Sequence, residues 1–193
     1  MNHKGRTVNY LKWETPRSFV DFVENQFNVT FDIDVAAEQH TKKAPIFYGE
    51  EDDGLSLAWE QWEHRTTYVW CNPPYNNVKE WVEKAIEQTR YDCETYMLIP
   101  AATDTILFHD YVVSNASKIF FIKGRMNFTS KYAVKNSSSN QASMLVIFSP
   151  IIKTDWAKMG GIYPTLKQRG FGGGTIDNAK IVTGKQLPTL MLD

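Results

Sequence analysis

Short runs with strand chemistry alternate with amphipathic segments, and this alternation constrains the fold of the 193-residue chain more than any other feature. The runs occupy residues 30–33, 68–71, 95–99, 119–122 and 144–148. Helical spacing of apolar side chains separates several of them, at 16–27, 78–86 and 104–113. Such alternation is typical of a mostly parallel, twisted sheet with helices on both faces. We therefore predict an α/β fold in a single domain, 1–193, with a core of about 13–150 and an irregular extension, 151–193.

The first helix is predicted to begin at Thr15-Pro16. Thr15 can cap it, and Pro16 fits its first helical position because that residue needs no backbone donor. Apolar side chains then recur on one helical face at Phe19, Phe22, Val23 and Phe27.

The loop Asn72-Pro73-Pro74-Tyr75 follows one predicted strand and precedes a helix. Open α/β sheets bind ligands at the carboxyl ends of their strands, so chemistry is expected there. The two prolines remove backbone donors, which leaves carbonyls and the Asn72 oxygen as hydrogen-bond acceptors. An amino group that donates to two acceptors points its lone pair at an electrophile held in line, while Tyr75 can stack on a planar ring. The loop suits a planar amine or amide that attacks carbon; an ordinary Pro-Pro turn is the alternative.

Asp34 follows the first predicted strand and precedes the small residues Ala36 and Ala37. A carboxylate there can accept from ribose hydroxyls or bind the amino group of an amino-acid cofactor. No G-x-G-x-x-G follows, so a dinucleotide phosphate cradle is not indicated. Further along, Asp53 and Leu55 can contact a purine through the carboxylate and the apolar side chain. An exposed strand end and a solvated acidic loop are the alternatives.

The charge is balanced overall and uneven along the chain. The net charge is −1, yet residues 1–117 carry ten Lys and Arg against nineteen Asp and Glu, whereas residues 118–185 carry eleven against two. A basic face is the footprint of a polyanion, although folding can also interleave these charges. Lys131 and Lys135 lie in the polar stretch 129–142, which suits phosphate contact.

Several classes of protein are disfavoured. Two cysteines and four scattered histidines predict neither a disulfide framework nor a metal site. No run approaches the roughly 20 apolar residues needed to cross a bilayer, and the first residues lack an apolar leader. We expect a cytoplasmic protein without membrane contact.

A set of short motifs occurs in a fixed order. They are Trp13-x-Thr15-Pro16, Asp32-Ile33-Asp34-Val35-Ala36-Ala37, Asp53-Gly54-Leu55, Trp70-Cys71-Asn72-Pro73-Pro74-Tyr75, Leu98-Ile99-Pro100-Ala101 and Gly124-Arg125-x-x-Phe128. As an ordered set, covering about residues 13–148, they resemble the small phage-type DNA N6-adenine methyltransferases (Dam-like). The resemblance implies a Rossmann-like methyltransferase fold, S-adenosylmethionine as methyl donor and adenine in double-stranded DNA as acceptor.

The resemblance also implies roles for individual residues. Catalysis falls to Asn72, Pro73, Pro74 and Tyr75. Cofactor binding falls to Trp13, Thr15, Pro16, Asp34, Ala36, Asp53 and Leu55. In DNA binding, Arg125 would meet a phosphate and Phe128 would pack against the target base, with Lys131 and Lys135 as further contacts. No separate target-recognition domain is present, so sequence reading is assigned to 129–142 and the C-terminal tail.

The predicted activity is methylation of an adenine flipped out of duplex DNA. Two alternatives remain open at this point: methylation of a glutamine amide in a protein, which the same loop can grip, and a catalytically silent DNA-binding module. The sequence leaves open the recognition site, the oligomeric state, the role of residues 170–193 and the biological purpose, for which restriction-modification is one candidate.

Overall fold

A computed structural model describes residues 14–128 and 141–150, together with the backbone of 137–138 and 165–167. Its strands are β1 (Ile33–Asp34), β2 (Ile46–Phe47), β3 (Thr67–Cys71), β4 (Cys93–Pro100), β5 (Lys118–Lys123), β6 (Asn127–Phe128), β7 (Ser137–Ser138), β8 (Ser143–Phe148) and β9 (Thr165–Lys167). Seven of these described strands form one sheet in the order β2-β1-β3-β4-β8-β5-β9, and β6 pairs with β7 in a separate ribbon.

Most neighbours in the sheet are parallel. The strands β2, β1, β3 and β4 run in one direction, and β9 is parallel to β5. The exception is β8, which is antiparallel to both β4 and β5. The predicted mostly parallel sheet of a Rossmann-like methyltransferase fold is thereby confirmed, with one reversed strand between β4 and β5.

Helices cover both faces of the sheet, as predicted. The helix α1 (Arg17–Phe27) lies on one face, while α2 (Val78–Gln88) and a π-helix (Leu107–Val113) lie on the other. Side chains that alternate along the strands supply both cores. On the α1 side these are Phe31, Trp70, Tyr96, Leu98 and Phe120. On the other side they are Ile33, Val69, Cys71, Met97 and Ile119. Among the described residues, no helix is both long and apolar enough to traverse a bilayer.

Three predicted elements are shorter in the structure than the sequence indicated. The first helix begins at Arg17 rather than Pro16, whose carbonyl accepts from the Phe19 N–H, and Thr15 does not cap it. The strand predicted over 30–33 is confined to Ile33–Asp34, because the backbone N–H of Phe31 donates to the Glu24 side chain of α1 instead.

The helix predicted over 104–113 begins at Leu107. The Thr105 hydroxyl donates to the Ala102 carbonyl and accepts from the Phe108 N–H, so the residues before Leu107 form a side-chain-bonded turn. The sequence therefore predicted a helix here correctly, but it placed the first residue at 104 instead of at Leu107.

Candidate active site

The carboxyl ends of β1 and β3 lie side by side. Asp34 is opposite Trp70 in the register of this parallel pair, and the Val35 N–H donates to the Trp70 carbonyl over 3.2 Å. Residues that follow Asp34 and Cys71 therefore leave the sheet at the same edge, which is where doubly wound sheets bind ligands. The structure thus brings the predicted cofactor carboxylate and the predicted catalytic loop to adjoining strand ends.

The loop Asn72-Pro73-Pro74-Tyr75 joins β3 to α2. Pro73 and the side-chain oxygen of Asn72 are buried, and the Pro74 carbonyl accepts from the Asn77 N–H over 3.4 Å just before α2 begins. The Tyr75 ring meets the Phe128 ring edge-on, with centroids 6.3 Å apart. Two prolines and a packed aromatic ring fix the loop, which is the rigidity that its predicted role requires.

Asp34 is a buried carboxyl group with few partners. It is 3% exposed; one oxygen accepts the Lys43 backbone N–H at 3.0 Å and the other accepts the Ala36 N–H at 3.4 Å. Burial raises the pKa of Asp34 to about 7, although both hydrogen bonds and the Lys43 charge act in the opposite direction. A ligand that brings further N–H or O–H donors would stabilise the ionised carboxylate, so this group is suited to binding one.

Lys43 connects Asp34 to the segment before α1. Besides its N–H bond to Asp34, its carbonyl accepts from Arg17 Nη1 at 2.6 Å, and its Nζ lies 3.5 Å from Glu14 Oε1. Thr15 and Pro16 lie between these two partners in sequence. Sequence reasoning missed Lys43, Arg17 and Glu14, because Lys43 acts mainly through backbone groups that carry no residue-type signal.

Thr15 carries a buried hydroxyl without a hydrogen-bond partner in the described part of the chain. The residue is 2% exposed, and its Oγ1 has no hydrogen-bond partner among residues 14–128 and 141–150. A buried hydroxyl left in this state costs roughly 1–3 kcal/mol, which a polar ligand group can offset. The predicted neighbour Trp13 lies outside the described residues.

The turn Asp53-Gly54-Leu55 packs onto the residue that follows Asp34. Asp53 is exposed and has a left-handed φ of 53°, and Leu55 packs half-buried against the core. A Cβ at Gly54 would lie 2.3 Å from the Val35 carbonyl oxygen, so only glycine permits this approach. The structure therefore brings Asp53 and Leu55 to the Asp34 end of β1.

The predicted DNA contacts are spread over different environments. Phe128 is 1% exposed and touches Tyr75, whereas Arg125 is exposed on the surface. Lys131 and Lys135 lie outside the described residues, in the stretch of sequence that joins β6 to β7. The contact observed for Phe128 is thus to the catalytic loop, and its packing against a target base stays a prediction.

Comparison with known proteins finds relatives among the DNA N-6-adenine-methyltransferases of phages. A DNA N-6-adenine-methyltransferase of Haemophilus phage HP1 is 28% identical over 158 residues, which is 81% of this chain and 87% of the relative. One of Escherichia phage T1 is 34% identical over 111 residues, which is 58% of this chain and 44% of the relative. A Pyrococcus horikoshii protein provisionally described as an RNA methyltransferase superposes with a TM-score of 0.49 at 12% identity, over 79% of this chain and 93% of that one.

The match to a family of known proteins extends over most of the sequence. Residues 6–168 match the family described as DNA N-6-adenine-methyltransferase (Dam). This range includes each of the motifs set out above, from Trp13 to Phe128. The predicted family is thereby confirmed, and with it the predicted class of enzyme: the chain belongs to the DNA N-6-adenine-methyltransferase (Dam) family.

Proposed function

We propose that the protein transfers a methyl group from S-adenosylmethionine to N6 of an adenine that is flipped out of double-stranded DNA. The observation that supports this most directly is the position of buried Asp34 beside the loop Asn72-Pro73-Pro74-Tyr75, at the adjoining carboxyl ends of β1 and β3. The carboxyl end of β1 offers the Asp34 carboxylate to the nucleoside of the cofactor. The carboxyl end of β3 offers hydrogen-bond acceptors to the amino group of adenine.

The cofactor site is assigned to residues on one side of this edge. Asp34 is suited to ribose hydroxyls or an ammonium group, and Thr15 offers a buried, unsatisfied hydroxyl within the described part of the chain. Asp53 and Leu55 are assigned to the adenine, because Gly54 brings their turn against Val35. Pro16, Ala36 and Trp13 complete the proposed set. When bound, S-adenosylmethionine supplies a methyl carbon activated by its sulfonium sulfur.

The acceptor site is the catalytic loop itself. The Asn72 side-chain oxygen and the Pro73 carbonyl accept the two N6 hydrogens of adenine, which turns the nitrogen lone pair outward toward the methyl carbon. As the N–C bond forms, the bond from the methyl carbon to sulfur breaks with its electron pair left on sulfur, and the nitrogen loses one proton to solvent. No strong general base is required, since positioning and oriented dipoles lower the barrier.

Base flipping costs a few kcal/mol in lost stacking and base pairing. Stacking on Tyr75 offsets this cost of base flipping by about 1–3 kcal/mol.

Arg125, Lys131 and Lys135 are assigned to phosphates, so DNA binding should weaken steeply as the salt concentration rises. The phage origin of both relatives supports the cytoplasm of an infected cell as the site of action and modification of DNA against restriction as one purpose.

The experiment that tests this function incubates the protein with unmethylated duplex DNA and methyl-labelled S-adenosylmethionine, then digests the DNA to nucleosides. We expect the label in N6-methyladenine. Label in N4-methylcytosine would overturn the adenine assignment, label in a protein glutamine would favour the amide alternative, and failure to bind the cofactor in calorimetry would favour a silent DNA-binding module.

A further inference from the structure

The hydroxyl of Tyr75 is a buried polar group that the proposed reaction does not use. The reaction uses the Tyr75 ring as a stacking surface, yet its phenolic oxygen is buried and has no hydrogen-bond partner among residues 14–128 and 141–150. Buried polar groups in native proteins are normally satisfied, so an exception at a catalytic loop calls for an explanation.

Ser143 lies at the same end of the sheet as this hydroxyl, because β8 begins beside the carboxyl end of β4 and Tyr75 follows β3, the neighbour of β4. Ser143 is 1% exposed, and its own Oγ is likewise buried without a hydrogen-bond partner in the described part of the chain. Burial raises the pKa of Tyr75, and the nearby Ser143 hydroxyl lowers it in part. Two buried hydroxyls without hydrogen-bond partners among the described residues thus lie at the same end of the sheet, and the one on Ser143 acts on the pKa of the one on Tyr75.

The sheet holds Ser143 in place. Ser143 is the first residue of β8 and lies opposite Pro100, the last residue of β4. Next to it, the Ala101 N–H donates to the Ala142 carbonyl over 2.8 Å. Tyr75, by contrast, is on a loop. Ser143 therefore gives the tyrosine a fixed reference point on the central strands.

Phe128 holds the same tyrosine through its ring. The two rings are inclined at 82°, and Phe128 ends β6, just before the stretch 129–142 to which DNA reading is assigned. Ser143 follows that stretch directly. The residues at both ends of the predicted DNA-reading segment thus converge on Tyr75.

We propose that Ser143 is a positioning residue for methyl transfer: its hydroxyl bonds the Tyr75 phenol in the DNA complex and sets the ring, opposite Phe128, at the angle on which the target base stacks. The proposal rests on the proposed function of the catalytic loop. It requires a movement of the loop that brings the two buried hydroxyls into hydrogen-bond geometry. Its effect appears in the methyl-transfer step and not in cofactor binding.

The first test is a double-mutant cycle with the full-length protein. Ser143→Ala, Tyr75→Phe and the double variant should each lower the single-turnover rate constant for DNA methylation by roughly fivefold, the size expected for one hydrogen bond. Because both single variants remove the same bond, the double variant should lose no more than either one. The Kd for S-adenosylmethionine should stay within about twofold of the wild-type value.

Thr95→Val is the matched control. Thr95 also carries a buried Oγ1 without a hydrogen-bond partner among the described residues, but it lies near the start of β4, away from the catalytic edge. Its variant should keep the wild-type rate. A Ser143→Ala rate equal to that of the control, or a double variant with the product of both losses, would overturn the proposal.

A second test does not depend on methylation. The nine tyrosines are replaced by 3-fluorotyrosine, and the Tyr75 ¹⁹F resonance is identified by its loss in Tyr75→Phe. Ser143→Ala should shift this resonance, and Thr95→Val should leave it in place. An unmoved resonance in Ser143→Ala would reject the contact. If the wild-type protein made no N6-methyladenine, the proposed function would fail, and this measurement would still decide whether Ser143 touches Tyr75.

Discussion

Asp32 and Asp34 are two residues apart in the sequence, and their pKa values are shifted in opposite directions. Partial burial raises the pKa of Asp32, but hydrogen bonds from the Arg65 side chain and the Tyr68 N–H outweigh it, so this pKa is lowered. Burial raises the pKa of Asp34 to about 7, and its two hydrogen bonds come from backbone N–H groups. A carboxylate that accepts hydrogen bonds from an arginine side chain stabilises the fold, whereas one that accepts only from backbone N–H groups is suited to binding a ligand.

The same contrast holds for the two ends of the sheet. At the amino end, Arg65 binds Asp32 at 2.7 Å and lies over the Trp62 ring at 4.3 Å from its centroid. At the carboxyl end, the described residues leave the hydroxyls of Thr15 and Tyr75 buried without hydrogen-bond partners. The protein thus pairs the Asp32 carboxylate at one end and keeps the hydroxyls of Thr15 and Tyr75 unsatisfied where substrate and cofactor are expected, at a cost in stability.

The largest expected effect is on kcat. It tests the end of the sheet at which the loop Asn72-Pro73-Pro74-Tyr75 lies. Asn72→Ala removes an acceptor for the adenine amino group and should lower kcat by about 10²–10³-fold, as for other oriented dipoles in active sites. Calorimetry should show nearly unchanged cofactor affinity. Asn72→Asp is the matched control, since it keeps an acceptor oxygen and should retain most of the activity. An Ala variant within tenfold of the wild-type kcat would remove Asn72 from the mechanism.

The two aspartates should separate binding from stability. Asp34→Asn should raise the Kd for S-adenosylmethionine by roughly 10–100-fold, because a charge-assisted hydrogen bond is lost. Asp32→Asn should lower the midpoint of thermal unfolding by a few degrees and leave the Kd within about twofold. If both variants lost cofactor affinity alike, the proposed division between a structural and a ligand-binding carboxylate would be wrong.

The pH dependence of binding follows from Asp34. The ionised carboxylate is the better acceptor, so cofactor affinity should rise roughly tenfold between pH 6 and pH 8, with a midpoint near the pKa of about 7. Asp34→Asn measured under the same conditions accounts for the cofactor's own titration and should lack this rise. An identical rise in the variant would assign it to another group.

The two aspartates should also affect stability in opposite senses. The folded-state pKa of Asp34 lies above the ordinary value of 3.8, so its contribution to the free energy of unfolding is fully present below pH 3.8 and falls as the pH rises to about 7. The pKa of Asp32 is lowered, so its contribution is present above pH 3.8 and is lost as the pH falls below that value. Urea unfolding of wild type, Asp34→Asn and Asp32→Asn across pH 3–8 separates the two.

Local sequence signals predicted the ligand-binding end of the sheet but not the pairing of Asp32 at the other end. Apolar alternation marked β3 and β4, and the position of Asp34 and the Asn72 loop after strands marked the carboxyl edge, because both signals are carried by neighbouring residues. Asp32 carried no comparable signal. Its partner Arg65 is 33 residues away, and the pairing depends on the folded register of β1 and β3.

Non-local contacts explain what the sequence could not predict. The reversed strand β8 enters between β4 and β5 through pairings such as Ser143 with Pro100, which are separated by more than 40 residues. This placement brings Ser143 to the end of the sheet at which Tyr75 lies. Lys43 likewise supports Asp34 through its backbone N–H, a contact that any residue except proline could make. Periodicity therefore predicted the layers of the fold, and long-range register determined the finer structure of the site.

The smallest expected effect is on the affinity for S-adenosylmethionine. It is measured by comparing variants of two unsatisfied hydroxyls, one from each end of the sheet. Thr15→Val and Thr95→Val each remove a buried Oγ1 that lacks a hydrogen-bond partner among the described residues, at nearly constant volume. Because each variant removes a buried hydroxyl that has no hydrogen-bond partner among the described residues, both should raise the midpoint of thermal unfolding by a few degrees. Only Thr15→Val should weaken S-adenosylmethionine binding, by roughly fivefold, since only Thr15 lies at the proposed cofactor site. Equal affinities in calorimetry would mean that the unsatisfied hydroxyl at Thr15 serves packing alone, as we expect for Thr95.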